Sequence, residues 1–261
     1  MDPGIAGKTA LVMAAGGGLG SAIASTLARE GARVVVSDVD EKALAETAAR
    51  IDRAGGKVKA FPLDMADLSA IKGLSAFVQP AFGPVDILVN NSGGPPPSPA
   101  SGIAAETWAS YFNAMGLSLV MLTDAVLPSM RERKWGRIIT STSSGVIAPI
   151  PNPGLSNALR STLVGWSKTL AREVARDGIT ANVILPGRIA TRRIKQLDEA
   201  RARRENIAVE KVVEQSTGSI PIGRYGDPQE YADVVAFLAS SRASYLTGSL
   251  FRVDGGMLMS I

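Results

Sequence analysis

The chain has 261 residues, 46% of them hydrophobic, and a formal net charge of +4. It contains no cysteine and no histidine. This excludes disulfides, zinc–thiolate sites, imidazole metal ligands and every Ser-His-Asp hydrolase mechanism, and we expect no metal site. Any proton transfer must therefore use Tyr, Lys, Asp, Glu, a hydroxyl or water. The length fits one α/β domain with a large core.

The first thirty residues hold only a short, glycine-interrupted apolar run with no basic segment before it. We therefore expect no signal peptide, no membrane span and no membrane partner. Together with the absence of cysteine, this favours a cytoplasmic location.

The positive charge is concentrated between Arg188 and Lys211, where eight basic residues stand against four acidic ones. No interleaved aromatic residues and no nucleic-acid motif accompany this run, so we expect no nucleic-acid partner. A solvated helix face is the simpler interpretation of these charges.

Short β-branched runs alternate with helical stretches along the whole chain. Seven strands with helical spacers predict right-handed crossovers and a doubly wound parallel sheet, flanked by helices, in a single domain. The predicted strands are Thr9 to Ala14, Ala32 to Asp38, Val58 to Asp64, Asp86 to Ser92, Arg137 to Ser143, Thr180 to Leu185 and Ser249 to Val253.

A glycine-rich loop, Ala14 to Gly20, follows the first strand and precedes a predicted helix, Ser21 to Glu30. Glycines at such a turn let the backbone approach a pyrophosphate, and the helix N-terminus supplies N–H groups. The candidate contacts are Gly16, Gly18, Leu19 and Gly20. A simple tight turn is the alternative interpretation of this loop.

Asp38 ends the second strand, eighteen residues past Gly20. A carboxylate at this place can accept both adenosine ribose hydroxyls and would repel a 2′-phosphate, which favours NAD over NADP. The alternative is a helix N-cap, for which Asp40 is the better candidate.

Several further segments follow in a fixed order. The chain resembles the short-chain dehydrogenase/reductase family from about Gly7 to Gly256, although Met13 and Ala14 replace the first Thr and Gly of its TGxxxGxG pattern. The matching segments are Gly18 to Gly20, Asp64-Met65, Asn90-Asn91-Ser92-Gly93, Asn182 to Gly187 with Thr191, Gly223 to Pro228 and Tyr245 to Gly256.

The resemblance implies a Rossmann-type fold over residues 1–261, with a variable substrate lid at about residues 188–217. It also implies a homodimer or homotetramer, because the helices around Trp108 to Leu127 and Ser156 to Arg176 resemble the family's dimer-forming pair. The cofactor residues that it adds to the glycine loop and Asp38 are Asp64, Met65, Asn91, Ser92, Gly93, Arg160, Pro186, Gly187 and Thr191.

The segment Gly154 to Ala171 resembles the family's active-site helix, whose register is set by Gly165 and Lys168. That register puts Ser156 where the family has its catalytic Tyr and Arg160 where it has the Lys four residues later. Arg160 is permanently protonated, so it cannot shuttle a proton, but it can bond a ribose hydroxyl or an oxyanion.

The family's substrate-orienting Ser corresponds to Ser143, thirteen residues before Ser156, whereas its relay Asn falls on Met115. The candidate catalytic residues are thus Ser143, Ser156 and Arg160. An alternative remains open, in which Ser156 and Asn157 merely start the helix and Arg160 pairs with an acid.

These departures resemble the β-ketoacyl-acyl-carrier-protein-reductase-like subgroup with a degenerate catalytic tetrad. They imply an atypical NAD-dependent oxidoreductase for a small carbonyl/alcohol substrate, acidic or acyl-carrier-linked. One alternative is a non-redox lyase, an aldolase or an enzyme similar to the halohydrin dehalogenases. The missing Tyr and the retained Asp38 and Asn91 argue against the halohydrin dehalogenases in particular. A catalytically silent NAD-binding protein is the other.

Overall fold

A computed structural model describes residues 2–260, with the side chain of Ser75 left aside. The strands form one parallel seven-stranded sheet in the order β3-β2-β1-β4-β5-β6-β7, which confirms the predicted fold class. The strands are β1 (Thr9–Met13), β2 (Arg33–Asp38), β3 (Lys57–Pro62), β4 (Ile87–Asn90), β5 (Gly136–Ser141), β6 (Ile179–Pro186) and β7 (Leu250–Val253).

Helices connect successive strands. They are α1 (Gly18–Arg29), α2 (Glu41–Arg53), α3 (Ile71–Phe82), α4 (Ala105–Phe112), α5 (Ser118–Glu132), α6 (Gly154–Val174), α7 (Arg192–Glu205), α8 (Val209–Gly218) and α9 (Pro228–Ala239).

The sheet is buried on both faces, as expected for a parallel sheet covered by helices. Alternate residues of β1 point to opposite faces, so Ala10 and Val12 join one core cluster whereas Leu11 and Met13 join the other. This explains why the strands are apolar at consecutive positions rather than at every second one.

The strand order reverses at β1, which pairs with both β2 and β4. In open α/β sheets this switch point, at the carboxyl ends of the strands, is where ligands bind. The loops after β1, β2, β4, β5 and β6 all open at that edge.

Asp64 differs from its predicted place at the end of the third strand. The strand ends at Pro62, and Asp64 lies two residues beyond it. Its Oδ1 accepts a hydrogen bond from the Ala66 amide at 2.8 Å, which begins a local turn. Met65, next to it, packs against the core.

The helices α4 and α5 join through a π-helical turn, Asn113–Leu117. Among residues 2–260 this continuous helix, Ala105–Glu132, alone has the length and hydropathy of a membrane span, with a mean hydropathy of 1.3. Its apolar side chains Leu119, Leu122 and Met130 are buried in the domain core. These contacts are those of a core helix in a globular domain.

Candidate active site

The glycine loop after β1 makes a turn that leaves no space for side chains on its inner side. A Cβ on Gly20 would lie 2.1 Å from the Ala14 carbonyl oxygen, and one on Gly16 would lie 2.9 Å from the Asp38 carboxyl carbon. On the outer side, a Cβ on Gly17 would meet nothing within 4 Å. The loop therefore presents bare backbone to the cleft, and the first amides of α1 lie beside it without intrahelical partners.

Leu19 contacts the core on one side of this loop, and Gly18 lies near Thr191 at the start of α7 on the other. Leu19 is half-buried and packs against the core cluster. A Cβ on Gly18 would lie 3.5 Å from Cγ2 of Thr191. Thr191 caps α7 by accepting a hydrogen bond from the Ile194 amide at 3.3 Å.

Asp38 is half-buried at the end of β2, and its carboxylate is oriented by two backbone amides. Oδ2 accepts from Gly16 at 2.8 Å and Oδ1 accepts from Asp40 at 2.9 Å. Each carboxylate oxygen has a second lone pair left for a ligand hydroxyl. The N-cap of α2 is Asp40, which accepts from the Ala43 amide, so the alternative role for Asp38 as a cap is wrong.

Asn91 connects β4 to the glycine loop. Its side-chain amide donates to the carbonyls of Met13 at 3.3 Å and Ala14 at 3.4 Å. The next residue, Ser92, has a buried hydroxyl with no hydrogen-bond partner among the described residues. Gly93 is exposed, and a Cβ there would meet nothing within 4 Å.

Pro186 ends β6, and Gly187 lies against the C-terminal segment. The Gly187 amide donates to the Val253 carbonyl at 2.9 Å, and a Cβ on Gly187 would lie 2.6 Å from the Cα of Asp254. The residues matched to the family's cofactor segments at the ends of β1, β2, β4 and β6 thus lie at one edge of the sheet. Asp64 follows β3 at the same edge, where the Leu63 amide donates to the Asp38 carbonyl at 3.0 Å.

Arg160 lies beneath this cleft with 8% of its surface exposed. Nη2 donates to the carbonyls of Gly93 at 2.8 Å and Ser92 at 3.3 Å, and Nη1 donates to that of Ser141 at 3.4 Å. Nε donates to Oγ of Ser156 at 3.3 Å. The guanidinium therefore ties the ends of β4 and β5 to α6.

No carboxylate among the described residues pairs with Arg160, so the alternative that it pairs with an acid is wrong. The pKa of Arg160 is lowered to about 10, chiefly by burial, while Tyr231 acts in the opposite sense and the nearby Arg193 in the same sense as burial. The group is protonated at neutral pH. The site therefore holds a desolvated positive charge whose partners among the described residues are three carbonyls and one hydroxyl.

Ser156 and Ser143 lie on neighbouring elements, and in each the hydroxyl oxygen accepts an N–H. Ser156, in the first turn of α6, accepts from Arg160, and Ser143 accepts from the Gly145 amide at 3.1 Å. A Cβ on Gly145 would lie 3.4 Å from Oγ of Ser143 and 2.3 Å from Oδ1 of Asn157, so the Ser143 turn packs on the start of α6. Neither Ser156 nor Asn157 caps that helix.

Met115, at the position of the family's relay Asn, is 3% exposed and packs with Leu155 and Leu159 of α6. It lies in the π-helical turn, a feature that is frequent at functional sites. An apolar side chain thus fills the space beside the first turn of α6.

The family has its catalytic phenol at the position of Ser156, and the four tyrosines of this chain occupy other positions. Tyr231 is fully buried and bonds Oγ of Ser141 at 2.8 Å, and burial raises its pKa. Tyr225 donates to Asp198 at 2.8 Å, whereas Tyr245 is fully exposed. Tyr111 packs against the cluster of Met115, Leu155 and Leu159.

The basic run of the predicted lid falls on α7 and α8, and much of it is paired with acids. The exposed pairs support the interpretation of a solvated face, whereas the carboxylate of Asp198 is buried. They are Arg188–Asp198 at 2.7 Å, Arg201–Glu205 at 2.9 Å, Arg204–Glu205 at 3.2 Å and Lys211–Glu214 at 2.7 Å.

Arg193 is a residue that sequence reasoning did not single out within this run. Its Nη2 donates to the Pro95 carbonyl at 2.6 Å, in the proline-rich loop after β4. Its only sequence signal is its position two residues after Thr191.

The comparisons with known proteins agree with this geometry. Residues 13–258 match the family model described as Enoyl-(Acyl carrier protein) reductase. The chain is 38% identical to the 3-oxoacyl-[acyl-carrier-protein] reductase FabG of Escherichia coli (strain K12), over 97% of this chain and 98% of that protein.

Two solved structures have the same fold. The L-sorbose reductase of Gluconobacter frateurii, complexed with NADPH and L-sorbose, superposes with a TM-score of 0.94 at 33% identity over the full length of both chains. YwfH, an NADPH-dependent reductase involved in bacilysin biosynthesis, superposes with a TM-score of 0.92 at 29% identity over 97% of this chain and 99% of that one.

The chain has a doubly wound sheet with a glycine loop at its switch point, and it matches reductases over nearly its whole length. These two features define a nicotinamide-dependent oxidoreductase. The chain belongs to the short-chain dehydrogenase/reductase family.

Proposed function

We propose that the chain is an atypical, NAD-dependent short-chain dehydrogenase/reductase that interconverts a carbonyl and an alcohol, with Ser143, Ser156 and Arg160 as its substrate-side residues. One observation carries the proposal. The Ser156 hydroxyl accepts an N–H from a buried cation that has no counter-ion among the described residues, and the turn bearing Ser143, whose hydroxyl also accepts an N–H, packs on the same first turn of α6.

Because each serine oxygen accepts an N–H, its own O–H is left to donate. Two O–H groups at the end of β5 and the start of α6 can bind one carbonyl oxygen. The Arg160 charge polarises the Ser156 hydroxyl and strengthens its donation as negative charge develops on that oxygen. In the reverse direction the same donors stabilise an alkoxide.

The cofactor cleft fits a nicotinamide dinucleotide. The outer side of the glycine loop is bare, the start of α1 offers amides to a pyrophosphate, and Ser92 brings an unpaired hydroxyl to the same edge. The bound cofactor supplies or accepts the hydride. Asn91, Gly93, Pro186, Gly187 and Thr191 border the remainder of this cleft.

NAD is the preferred cofactor in this proposal because of Asp38. Its carboxylate is fixed by the amides of Gly16 and Asp40 and would face a 2′-phosphate with like charge. The sequence has no Lys or Arg between Met13 and Gly20 or between Val36 and Glu41 to offset that repulsion. The solved relatives described above carry or use NADPH, so this preference distinguishes the chain from them.

Proton transfer cannot use Arg160, whose pKa of about 10 keeps it charged at neutral pH. The site has no phenol at position 156. The proton therefore comes from water or from a group of the substrate itself, relayed through the hydroxyls of Ser143 and Ser156.

The substrate is a carbonyl compound that is acidic or linked to an acyl carrier. This agrees with the reductase of an acyl-carrier-protein substrate among the relatives. Residues 188–217 form its lid, and the enzyme acts in the cytoplasm as a homodimer or homotetramer.

Titration with NAD and NADP, followed by the fluorescence of Trp108, Trp135 and Trp166, tests the cofactor proposal. NAD should bind at least tenfold more tightly than NADP, and Asp38→Ser should reverse or abolish that preference. Asp40→Ser, which keeps a capping oxygen on α2, is the matched control and should leave the ratio unchanged. Tighter NADP binding by the unaltered chain would overturn the NAD preference.

A second experiment tests the reaction. Absorbance at 340 nm is followed with a panel of ketones, 3-oxo esters and alcohols in the presence of NADH or NAD. Turnover should require the nicotinamide and fall at least tenfold in Ser143→Ala. NAD binding without any absorbance change would favour a silent cofactor-binding protein, and turnover without nicotinamide would favour the non-redox alternative.

A further inference from the structure

We propose that Arg160 and Arg193 together form an anion subsite above Gly94, which selects substrates bearing a carboxylate or phosphate close to the reacting carbon. The inference rests on the proposed function and specifies its substrate class.

The geometry at Gly94 carries this inference. A Cβ built on Gly94 would lie 3.8 Å from Nη2 of Arg160 and 3.8 Å from Nη2 of Arg193. Apart from the glycine and its chain neighbours, no other described atom lies within 4 Å of that point. Gly94 and Arg193 are exposed whereas Arg160 is 8% exposed, so an anion would approach this point from the side of Gly94 and Arg193.

The two arginines reach this point from opposite sides of the cleft. Arg160 extends from α6 and donates to the carbonyls of Ser92 and Gly93. Arg193 comes from the first turn of α7 and is held by the carbonyl of Pro95. Neither pairs with an acid among the described residues, unlike Arg188 or Arg201 of the same basic run.

Two like charges side by side, one of them buried, are unfavourable without an anion between them. Both N–H groups of Arg160 Nη2, the atom that faces Gly94, already donate to the carbonyls of Ser92 and Gly93, and its one unassigned N–H lies on Nη1, so Arg160 contributes mainly its charge there. A carboxylate or phosphate there can accept the second N–H of Arg193 Nη2 and is attracted by the charge of Arg160, which would offset the repulsion. The glycine at position 94 leaves the space that such a group needs.

The subsite lies near the Ser156 hydroxyl because Arg160 also donates to its Oγ. The anionic group and the reacting carbonyl therefore belong to the same substrate, with few bonds between them. The cofactor pyrophosphate offers the same chemistry from another source, so the experiment must distinguish these two origins.

Equilibrium dialysis of radiolabelled malonate against the full chain tests the subsite, with saturating NAD present to fill the cofactor cleft. Malonate should bind, and its neutral analogue malonamide should not compete. Arg193→Gln should weaken malonate binding roughly tenfold, the loss expected for a charge-assisted hydrogen bond. The matched control, Arg192→Gln, alters an adjacent exposed arginine and should change it less than twofold.

Arg160→Lys provides a second variant that keeps the positive charge but loses the fork, and it should weaken malonate binding by a similar factor. Three results would overturn the subsite. Malonamide could compete as well as malonate, Arg192→Gln could weaken binding as much as Arg193→Gln, or Arg193→Gln could weaken NAD binding and leave malonate unaffected.

The third result would assign the arginine pair to the cofactor phosphates. The dialysis is repeated without NAD, so a failure of NAD binding, which would count against the proposed function, leaves the result for the anion subsite readable.

Discussion

Ala14 stands where the family's glycine pattern has its first Gly, and its backbone is in the left-handed region with φ of 49°. That conformation costs a residue with a Cβ about 1–2 kcal/mol. The turn is retained because Gly20 packs on the Ala14 carbonyl and Asn91 donates to it. The glycine pattern is therefore altered in sequence, whereas the turn that it makes is preserved.

Ala14→Gly is expected to raise the free energy of unfolding by up to about 1 kcal/mol, since relief of the strained φ exceeds the extra freedom of glycine in the unfolded chain. Urea denaturation measures this change. The matched control is Ala15→Gly, at a fully buried alanine without positive φ, which should lose stability. Equal losses in the two variants would contradict the strain at Ala14.

The charge of Arg160 gives a pH dependence whose sign follows from its burial. Its pKa of about 10 in the folded chain is below the ordinary value of an arginine, because the side chain is buried. The folded state therefore carries a desolvation penalty at every pH below about 10, and stability recovers only as pH rises from there towards the pKa of the unfolded chain. In the neutral range the charge, and any anion binding that depends on it, should not titrate.

Arg160→Lys should shift that behaviour into the accessible range. A lysine has an ordinary pKa near 10.4, and burial can lower it by up to about 3–5 units. Malonate affinity, measured by dialysis from pH 7 to 10 where both carboxylates of malonate are ionised, should be flat in the unaltered chain below pH 9 and fall at a lower pH in the variant. Identical profiles for the two proteins would show that Arg160 does not bind the anion.

At the scale of elements, the proline-rich loop after β4 is fixed to the start of α6. The Ser98 amide donates to the Asn152 carbonyl at 2.6 Å, and the Gly154 amide donates to the Ser98 carbonyl at 3.0 Å. This short parallel bridge holds the loop that bears Gly94 and Pro95 over Arg160. The position of the proposed anion subsite thus depends on contact between two loops far apart in sequence.

Gly154→Ala tests this contact, because a Cβ there would lie 2.7 Å from the Ala100 backbone. The loop must move, so we expect the free energy of unfolding to fall by about 1–3 kcal/mol and malonate affinity to fall as well. The control is Gly218→Ala at the end of α8, where a Cβ would meet nothing within 4 Å. It should be neutral or slightly stabilising. Unchanged stability and affinity in Gly154→Ala would show that the loop is not held at this point.

Most of the sheet could be predicted from the sequence, because each strand is a local run of β-branched residues between turn signals. All seven predicted strands occur, with shifts of one or two residues at their ends. The π-helical turn at Asn113–Leu117 was not predicted, since nothing in its local sequence distinguishes it from a helix. The bridge between Ser98 and Pro153 was not predicted either, because it depends on the tertiary fold.

For the molecule as a whole, the cofactor cleft was more predictable than the substrate side. Asp38, Asn91 and Pro186 could be placed at one edge because parallel strands end together there. The partners of Arg160 are backbone carbonyls from two different strands, and a carbonyl leaves no sequence signal. The same holds for Arg193. Only the three-dimensional structure shows that, among the described residues, it does not pair with an acid as other arginines of the basic run do.

The outer face of α6 is a candidate contact surface between copies of the chain. Gly165 is exposed, and a Cβ there would meet nothing within 4 Å in a single chain. If two copies pair through this helix and the long helix Ala105–Glu132, a large side chain at position 165 meets the partner subunit. Arginine is a good helix former, so it should be tolerated by the isolated fold.

Gly165→Arg should therefore reduce the particle mass from a dimer or tetramer towards a smaller species, measured by light scattering after size-exclusion chromatography. NAD binding and the circular dichroism spectrum should be retained, since the cofactor cleft lies at the carboxyl edge of the sheet. The control Ala45→Arg places the same charge on exposed α2 and should leave the mass unchanged. An unchanged mass in Gly165→Arg would exclude α6 from the interface, because an arginine cannot be accommodated in a closely packed pair of helices at a position that glycine occupies.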